Sequence, residues 1–422
     1  MERFVGLIGI IVIFLIAFLM SNNKKAINVK TVLTGFALQI FFAWFIFKFK
    51  LGAQIFEFIG AFIRKILDFA YEGGMFVFGP LLDNFKLSQL FEHNSSIFAL
   101  QLICSSIFMM VLVNILYYYG IMQRVVAALG KAMNKLMKVS GAEALSNVAS
   151  AFVGQIVAQI MIKPYLEKLT RSELLASMAG SMACISGAIM PIYIGMGIPA
   201  KYLLASSVMA APGALILAKI IYPETGEPET RDNIKISRRR TFINLFDAIS
   251  NGASDGMKVA INVTAMILAL VALVAFIDYT LGLGGALIYK YIPGCSHLTF
   301  LNNLSLSYIL GKIFMWFALI LGVPFKDASV VGSLMGTKIV LNEMVAYVNL
   351  TQIASTLQAK SFMIACFALC SFGNFGSIAI QIGGIGELAP NQRKNLARLG
   401  LRALICGTLS CYLSAAIVGI LL

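Results

Sequence analysis

Charged residues are scarce in this chain. They make up 12% of its 422 residues, about half the roughly 25% that is usual in soluble globular domains. Hydrophobic residues make up 59%, and the mean hydropathy is +0.87. This composition excludes a soluble enzyme, a disordered chain and a small disulfide-stabilised secreted domain. It predicts a polytopic membrane protein whose helices are built from apolar stretches of about 20 residues.

The sequence also lacks the patterns of several common sites. Its seven cysteines show no zinc-binding spacing, and its two histidines, His93 and His297, stand alone, so no metal centre is expected. No Gly-rich loop leads into Lys-Ser or Lys-Thr, which disfavours an ATP-driven pump. The net charge of +14 is attributed to basic residues on the cytoplasmic side of a membrane. No nucleic-acid partner is expected, because no aromatic residues accompany those basic residues as in a nucleic-acid groove.

Apolar runs predict eight transmembrane helices in an all-α fold. The first run follows Arg3 as in a signal peptide, but no small-residue cleavage site comes after it, so an uncleaved helix is expected. Residues 52–70 separate apolar and charged faces at helical spacing, which predicts an amphipathic helix along the membrane interface. The stretch from Tyr71 to Asn94 is Gly-rich and is expected to be irregular. The predicted spans are Phe4–Met20, Val32–Phe47, Ile97–Tyr119, Leu174–Ile198, Tyr202–Tyr222, Val259–Ile277, Phe362–Ile385 and Ala403–Leu422.

Two further regions are too polar to be simple spans. Residues 140–166 are rich in Ser, Ala and Gly and contain Gln155, and residues 306–347 are apolar but contain charged residues and Pro324. Such segments reach membrane depth where protein surrounds them. The two regions therefore predict re-entrant hairpins that line a cavity.

Basic residues predict the orientation of the chain. If the N-terminus lies outside and each hairpin returns to its own side, five inner segments contain 20 of the 33 lysines and arginines, including Arg238-Arg239-Arg240. The positive-inside rule then places both termini on the extracytoplasmic side. The inner segments are 21–31, 122–138, 163–171, 219–240 and 393–402.

The two halves of the chain show a weak internal similarity. Each hairpin is followed by a helix with a Cys/Ser/Gly segment, Ala183–Gly187 in one half and Leu369–Asn374 in the other, and then by a further span. Inverted repeats of this kind are typical of transporters, with the substrate at the interface of the repeats. Four parts are predicted: N-terminal helices with the interfacial helix (1–120), a first repeat (121–222), a basic loop with a scaffold helix (223–300) and a second repeat (301–422).

Glu343 is the most informative acidic residue, because it lies within an apolar segment. A carboxylate at membrane depth is costly unless it is paired, hydrated or protonated. Glu343 is therefore interpreted as a ligand for substrate hydroxyls or for a cation, with a structural pairing to Lys312 or Lys338 as the alternative.

Three other polar residues are candidates for a binding site. Asn374 and Ser377 are three residues apart on one helix face, and the glycine that precedes each of them weakens the helix. This pattern suits a break between half-helices that presents polar groups to a ligand. The alternative role for this pair is hydrogen bonding between helices. Gln155, near the tip of the first hairpin, offers both a donor and an acceptor. Glu387 is expected to be solvated or to cap a helix.

At these residues the sequence resembles the concentrative nucleoside transporter family over nearly its whole length. Several segments match the family in order and spacing, which is more specific than any one motif. The resemblance implies a homotrimer with eight transmembrane helices, two re-entrant hairpins and an elevator-type transport domain in the inner membrane. The matching segments are Gly154-Gln155, Tyr202–Gly213, Pro223-Glu224-Thr225, Asn251–Gly256, Asn342-Glu343 and Asn374–Gly386.

The resemblance also implies roles for individual residues. Glu343, Asn374 and Ser377 match the residues that hold the ribose of a nucleoside, and Gln155 matches the residue that contacts the base. No organic cofactor is implied, and the coupling ion is H⁺ or Na⁺. The remaining positions of the implied nucleoside site are Ile156, Val157, Ile189 and Phe372. The implied positions for the coupling cation are Ser150, Val153, Cys184 and Ile185, with Glu343 as a candidate carrier.

The chain departs from the family pattern at positions that bear on function. Ser150 replaces an asparagine and Cys184 replaces a serine at the family's sodium site, and sulfur is a poor ligand for a hard cation. These losses favour proton coupling. Ile156 and Val157 replace a hydroxyl residue and a glutamate that usually follow the glutamine, so a more apolar base pocket that favours purines or modified bases is predicted. Gly376 replaces the first of two serines.

Two other classes of function stay open. One is a transporter of a different polar solute on the same scaffold, since a fold does not fix a function. The other is a non-transporting membrane gate or receptor, which the costly Glu343 carboxylate disfavours. An enzyme is not expected, because the sequence contains no recognisable nucleophile–base or metal constellation.

Overall fold

The computed structural model describes residues 2–83, 86–87, 97–231, 242–291 and 304–421. These residues are helices joined by short turns. Three predictions fall outside the described residues: the Arg238–Arg240 cluster and the solitary positions of His93 and His297.

In the part of the chain that the structure describes, the first half forms eleven α-helices, several of which pack on the last helix of the chain. Helix α18 (Arg393–Leu421) is the central element, since it contacts helices from both halves. The helices of the first half are α1 (Glu2–Leu19), α2 (Val29–Phe47), α3 (Lys50–Phe78), α4 (Phe98–Tyr118), α5 (Ile121–Met137), α6 (Gly141–Val153), α7 (Gln155–Met161), α8 (Lys163–Leu166), α9 (Arg171–Ala183), α10 (Met190–Gly195) and α11 (Ala200–Ile221).

The second half has the same order of elements as residues 98–221. In each half a first helix is followed by a helix that packs on the first arm of the hairpin, then by the hairpin, a helix with a break and a last continuous helix. The helices are α12 (Leu245–Tyr291), α13 (Leu306–Ile320), α14 (Phe325–Val340), α15 (Glu343–Ile353), α16 (Ala359–Leu369), α17 (Phe375–Leu388) and α18.

Eight spans lie within the described ranges. Five continuous helices, α2, α4, α11, α12 and α18, are long and apolar enough to cross a membrane. Helix α1 has a shorter apolar stretch, Val5–Leu19, and is counted as the sixth span. The discontinuous helices α9/α10 and α16/α17 are the other two, and each is interrupted by a short non-helical segment at residues 184–189 or 370–374.

The first hairpin has the predicted bounds, and its tip is a glycine. Helix α6 ends at Val153, and α7 begins at Gln155. Gly154 between them has a φ of +87°, in a backbone region that residues with a Cβ rarely adopt. A Cβ at this position would also lie 3.3 Å from the Cβ of Ser186. The glycine thus permits both the tight reversal and the close approach of the α9/α10 break.

The second hairpin differs from the prediction. Its arms are α14 and α15, with the turn at Leu341-Asn342, so it covers residues 325–353 rather than 306–347. Residues 306–320 form the separate helix α13, which folds back on α14 at a bend of 118°. Charged residues occur in both helices, so no contrast in sequence separates the antiparallel partner from the hairpin arm. These residues are Lys312 in α13 and Lys326, Asp327 and Lys338 in α14.

Two other boundaries are corrected. Residues 71–78 were predicted to be irregular but continue helix α3 to Phe78, and the missing Cβ at Gly74 leaves room for Cys104 of α4. The predicted span Val259–Ile277 is the middle of α12, whose 47 residues reach roughly 70 Å at 1.5 Å per residue. Helix α12 is therefore far longer than the roughly 30 Å apolar core of a bilayer.

A buried ionic cluster fixes the first hairpin to its neighbours. Helices α6 and α9 both begin with capping boxes, Ser140 with Glu143 and Thr170 with Glu173. Lys219, near the end of α11, lies 2.7 Å from the Glu143 carboxylate. Both charged side chains are almost completely buried, so the pairing offsets the cost of removing each charge from water.

Candidate functional site

The breaks in the two discontinuous helices face each other. The backbone N–H of Phe372, in the second break, donates a hydrogen bond of 3.3 Å to the carbonyl of Cys184, in the first. Cys411 of α18 donates from its sulfur to the carbonyl of Ala183 at 2.9 Å and to that of Cys370 at 3.5 Å. Backbone groups released at the breaks are thus partly satisfied within protein, as membrane depth requires.

Glu343 opens the second arm of the second hairpin. The side chain of Asn342 caps this arm by accepting from the Val345 N–H at 2.9 Å, which presents Glu343 in the first helical turn. Glu343 is 6% exposed. Its carboxylate accepts from the Tyr193 hydroxyl at 3.0 Å and from the Asn374 amide at 3.3 Å. Hydrogen bonds to a carboxylate are stronger than neutral ones, so these two donors stabilise its buried charge.

The predicted lysine partners do not form an ion pair with Glu343. In the described part of the chain, Lys338 hydrogen-bonds to Thr408 at 3.4 Å, and Lys312 lies over the ring of Tyr308 at 5.5 Å. The direct contacts of Glu343 are instead neutral donors that come from the two broken helices. This arrangement leaves the carboxylate able to accept further hydrogen bonds from a ligand.

Asn374 and Ser377 form the start of the second half-helix. The Asn374 side chain accepts from the Ser377 N–H at 2.9 Å and so caps α17, while its amide N–H₂ points to Glu343. The Ser377 hydroxyl donates to the Phe372 carbonyl. The asparagine therefore caps the start of α17 and makes a hydrogen bond between helices, the alternative role that the sequence left open.

Gln155 of the first hairpin reaches the same helix end. Its amide donates to the Ser377 hydroxyl at 3.4 Å, and its oxygen accepts from Gln381 at 3.4 Å. Gln155, Ser377, Asn374 and Glu343 are thus joined by consecutive hydrogen-bonded contacts. Of the predicted site residues, these four and Phe372, which is 7% exposed, are brought together by the described contacts.

The other predicted ligand positions have apolar side chains. Ile156 packs on Gly384 of α17, and Val157 is 41% exposed. Ile189 is the residue that precedes α10, as Asn374 precedes α17. An apolar residue therefore occupies in the first break the position that the capping asparagine has in the second.

The predicted cation positions lie in the first arm of the first hairpin and in the first helix break. Ser150 and Cys184 are buried. The Ser150 hydroxyl donates to the Ser146 carbonyl at 2.7 Å and lies 2.9 Å from the Ser181 hydroxyl. The Cys184 sulfur donates to the Gly180 carbonyl at 3.4 Å.

The two remaining cation positions, Val153 and Ile185, have side chains without an oxygen, so only their carbonyls can bind a hard ion. Val153 ends α6, and Ile185 is buried in the first break.

Sequence reasoning missed Tyr193, Gln381, Gln159 and Ser181. Gln159 is buried and bonds to Ser181 and Ser177. Helical spacing offered a signal for the two glutamines, because Gln159 and Gln381 follow Gln155 and Ser377 by four residues and so share their helix faces. No local signal marks Tyr193, which meets Glu343 across 150 positions of sequence.

Comparison with known proteins identifies the family. Models described as the Na⁺ dependent nucleoside transporter N-terminus and C-terminus match residues 8–81 and 202–419, and a nucleoside recognition model matches residues 99–200. The chain belongs to the concentrative nucleoside transporter family. It is 37% identical to the nucleoside permease NupC of Helicobacter pylori, with 98% of this chain and 97% of that protein covered.

Other members of the family are similar over the whole chain. The uncharacterized transporter YutK of Bacillus subtilis is 40% identical, with 98% of each protein covered. The sodium/nucleoside cotransporter 1 of Mus musculus is 33% identical over all of this chain and 64% of that protein. The structure of the transporter CNTnw in an inward-facing, substrate-bound state has a TM-score of 0.91 at 36% identity, covering 100% of this chain and 98% of that one. The transporter fold is therefore shared from end to end.

Proposed function

We propose that this chain imports nucleosides across the inner membrane by cation symport, with both termini on the extracytoplasmic side. The observation that carries the proposal is the hydrogen-bonded set Gln155, Ser377, Asn374 and Glu343. A carboxylate and an amide suit the vicinal hydroxyls of a ribose, because each hydroxyl can both donate and accept. The amide of Gln155 suits the edge of a base.

A proton is proposed as the coupling ion. The Ser150 hydroxyl already makes two contacts with protein groups, and Cys184 offers sulfur in place of oxygen. Sodium prefers oxygen ligands, so this donor set is poor for it. Glu343 is the proposed proton carrier, since it is a buried carboxylate held by neutral donors. Because similar proteins are described as sodium-dependent, the coupling ion is tested directly.

The proposed mechanism is elevator-type alternating access in a homotrimer. The hairpins and the broken helices share hydrogen bonds and would move as one transport domain. Helices α4 and α12 pack mainly on each other and would form the scaffold. The more apolar surroundings at Ile156 and Val157 support a preference for purine nucleosides over uridine.

Uptake by proteoliposomes tests this proposal. Labelled inosine and uridine would be offered under an inward proton gradient, an inward sodium gradient or neither, with empty liposomes as the control. We expect accumulation of inosine above uridine under the proton gradient, and its loss when a protonophore is added. Accumulation that depends on sodium alone would overturn proton coupling, and no uptake of either nucleoside by folded protein would overturn the substrate.

A further inference from the structure

Lys338 is a buried lysine in the first arm of the second hairpin. Its side chain is fully buried, and its one described hydrogen bond is to the hydroxyl of Thr408, at 3.4 Å. No described carboxylate lies within 4 Å of its amine. The other buried lysine, Lys219, has the usual solution, a direct ion pair with Glu143. Lys338 therefore needs a different explanation.

The two hairpins have matching ends, which gives Lys338 a counterpart in the first repeat. In the first hairpin the N–H of Gly154 donates to the Ser150 carbonyl, and in the second the N–H of Leu341 donates to the Thr337 carbonyl. Thr337 thus occupies the position of Ser150. Lys338 is the next residue along the arm.

The broken helices match in the same way. Cys184 ends the first half-helix of one repeat, and Cys370 ends that of the other. The position beside Ser150 and Cys184, where the family resemblance implies a coupling cation, therefore corresponds to the surroundings of Thr337 and Cys370 in the second repeat.

The amine of Lys338 reaches that second position. A Cβ added to Gly373, within the second break, would lie 3.3 Å from the lysine nitrogen. Gly373 follows the C-terminal end of α16, and the dipole of a half-helix favours positive charge at that end. A fixed cation thus lies in the second repeat at the place that corresponds to the cation site implied by the family resemblance in the first.

Glu343 is the anion that this cation faces. Gly373, which the lysine nitrogen approaches, is followed by Asn374, and the Asn374 amide donates to the Glu343 carboxylate at 3.3 Å. The two charges therefore lie on either side of the second break without forming an ion pair, and opposite charges attract more strongly where water is excluded. This attraction would leave the carboxylate oxygens free for Tyr193, Asn374 and a ligand.

We propose that Lys338 is a built-in cation, placed in the second repeat where the family resemblance puts a cation site in the first. Its ammonium balances the charge of Glu343 when that carboxylate is deprotonated, and it holds the hairpin tip against the second break in the geometry that binds the ribose. Lys338 is a positioning residue that acts through Glu343. The role in ribose binding rests on the proposed function, whereas the charge balance does not.

A double-mutant cycle measured by thermal unfolding of the purified protein tests the charge balance. The variants are Lys338→Met, which keeps the volume of the side chain, Glu343→Gln and the double variant. Removing one member of a buried charged pair destabilises more than removing both. We expect the double variant to lose less Tm than the two single variants lose in total. The difference should be roughly 3 °C or more.

Lys219 supplies the matched controls. Lys219→Met combined with Glu343→Gln should give additive shifts, and Lys219→Met combined with Glu143→Gln should reproduce the non-additivity of a known pair. Additive shifts for Lys338 and Glu343, with the Lys219–Glu143 pair non-additive, would overturn the proposal.

Ligand binding provides the second measurement. We expect Lys338→Met, if it is folded, to bind inosine at least about 10-fold more weakly than the unaltered protein, as for loss of a charged group acting on a binding site. Unchanged affinity would overturn the positioning role. If the unaltered protein binds neither inosine nor uridine, the proposed function fails instead, and the unfolding cycle still decides the charge balance.

Discussion

The two hairpins have the same geometry and opposite chemistry. Each reverses just before a residue that belongs to the candidate site, Gln155 in the first and Glu343 in the second. The first hairpin meets the site with a neutral amide and apolar neighbours. The second brings a carboxylate, and Lys338 lies in its first arm. The comparison shows that the positions where helices end and begin determine the layout of each half. A few side chains at those positions determine its chemistry.

The halves complete each other. Glu343 of the second hairpin is held by Tyr193 of the first broken helix, and Gln155 of the first hairpin contacts Ser377 of the second broken helix. A polar group at membrane depth needs a partner, and here several partners come from the other repeat. The site therefore depends on both halves at once.

The strongest test of the charged half is Glu343→Gln. We expect nucleoside uptake to fall by about 100-fold or more, because a hydrogen-bond acceptor with a buried charge is lost. The measurement is uptake in proteoliposomes, with gel filtration to show a folded protein. Glu387→Gln is the matched control, since Glu387 is exposed at the end of α17 and should transport normally. Retention of more than a tenth of the uptake would refute the assignment of Glu343.

Asn374→Ser separates the two roles of this residue. Serine still caps a helix well, but the amide that donates to Glu343 is lost. We expect nucleoside affinity to fall by about 10-fold, as for a hydrogen bond to a charged group, in an equilibrium binding assay. Asn342→Ser, which changes a cap without removing a contact to Glu343, should have a smaller effect. Equal losses in the two variants would mean that capping alone is at work.

The neutral half can be made more like a sodium site. Cys184→Ser together with Ser150→Asn restores the two oxygen-bearing side chains of the family pattern, which hard cations prefer. We expect sodium to stimulate uptake of the variant by roughly threefold, the effect of a fraction of a kcal/mol, relative to choline. Cys406→Ser replaces another buried cysteine and should gain no stimulation. If uptake by the unaltered protein already depends strongly on sodium, the first repeat does not lack a sodium site, and this comparison between the halves fails.

The smallest expected effect concerns the base. Ile156→Thr adds a hydroxyl next to Gln155, and one neutral hydrogen bond is worth about 1 kcal/mol. We expect the ratio of uridine to inosine affinity to rise by roughly threefold, measured by competition. Ile160→Thr, on the same helix and 48% exposed, should leave the ratio unchanged. A fall in the ratio would argue against a base contact at Ile156.

The sequence was informative where polar residues interrupt apolar ones. The bounds of the first hairpin and both helix breaks could be predicted, because serine, glycine and asparagine stand out in an apolar chain. The turn of the second hairpin was missed, since Pro324 is a more visible break than Leu341-Asn342. The contact of Tyr193 with Glu343 depends on the packing of distant segments, and no local pattern encodes it.

The ion pair of Glu143 with Lys219 constrains how the chain is made. Glu143 leaves the ribosome 76 residues before Lys219, so the first hairpin is synthesised well ahead of the cation that neutralises it. A lone carboxylate is unfavourable in lipid. The first hairpin is therefore expected to stay at an aqueous boundary until α11 has been inserted, and the second until α18 brings Thr408 to Lys338. Insertion into the membrane and completion of the binding site are consequently separate events, and the second ends only when the last helix is in place.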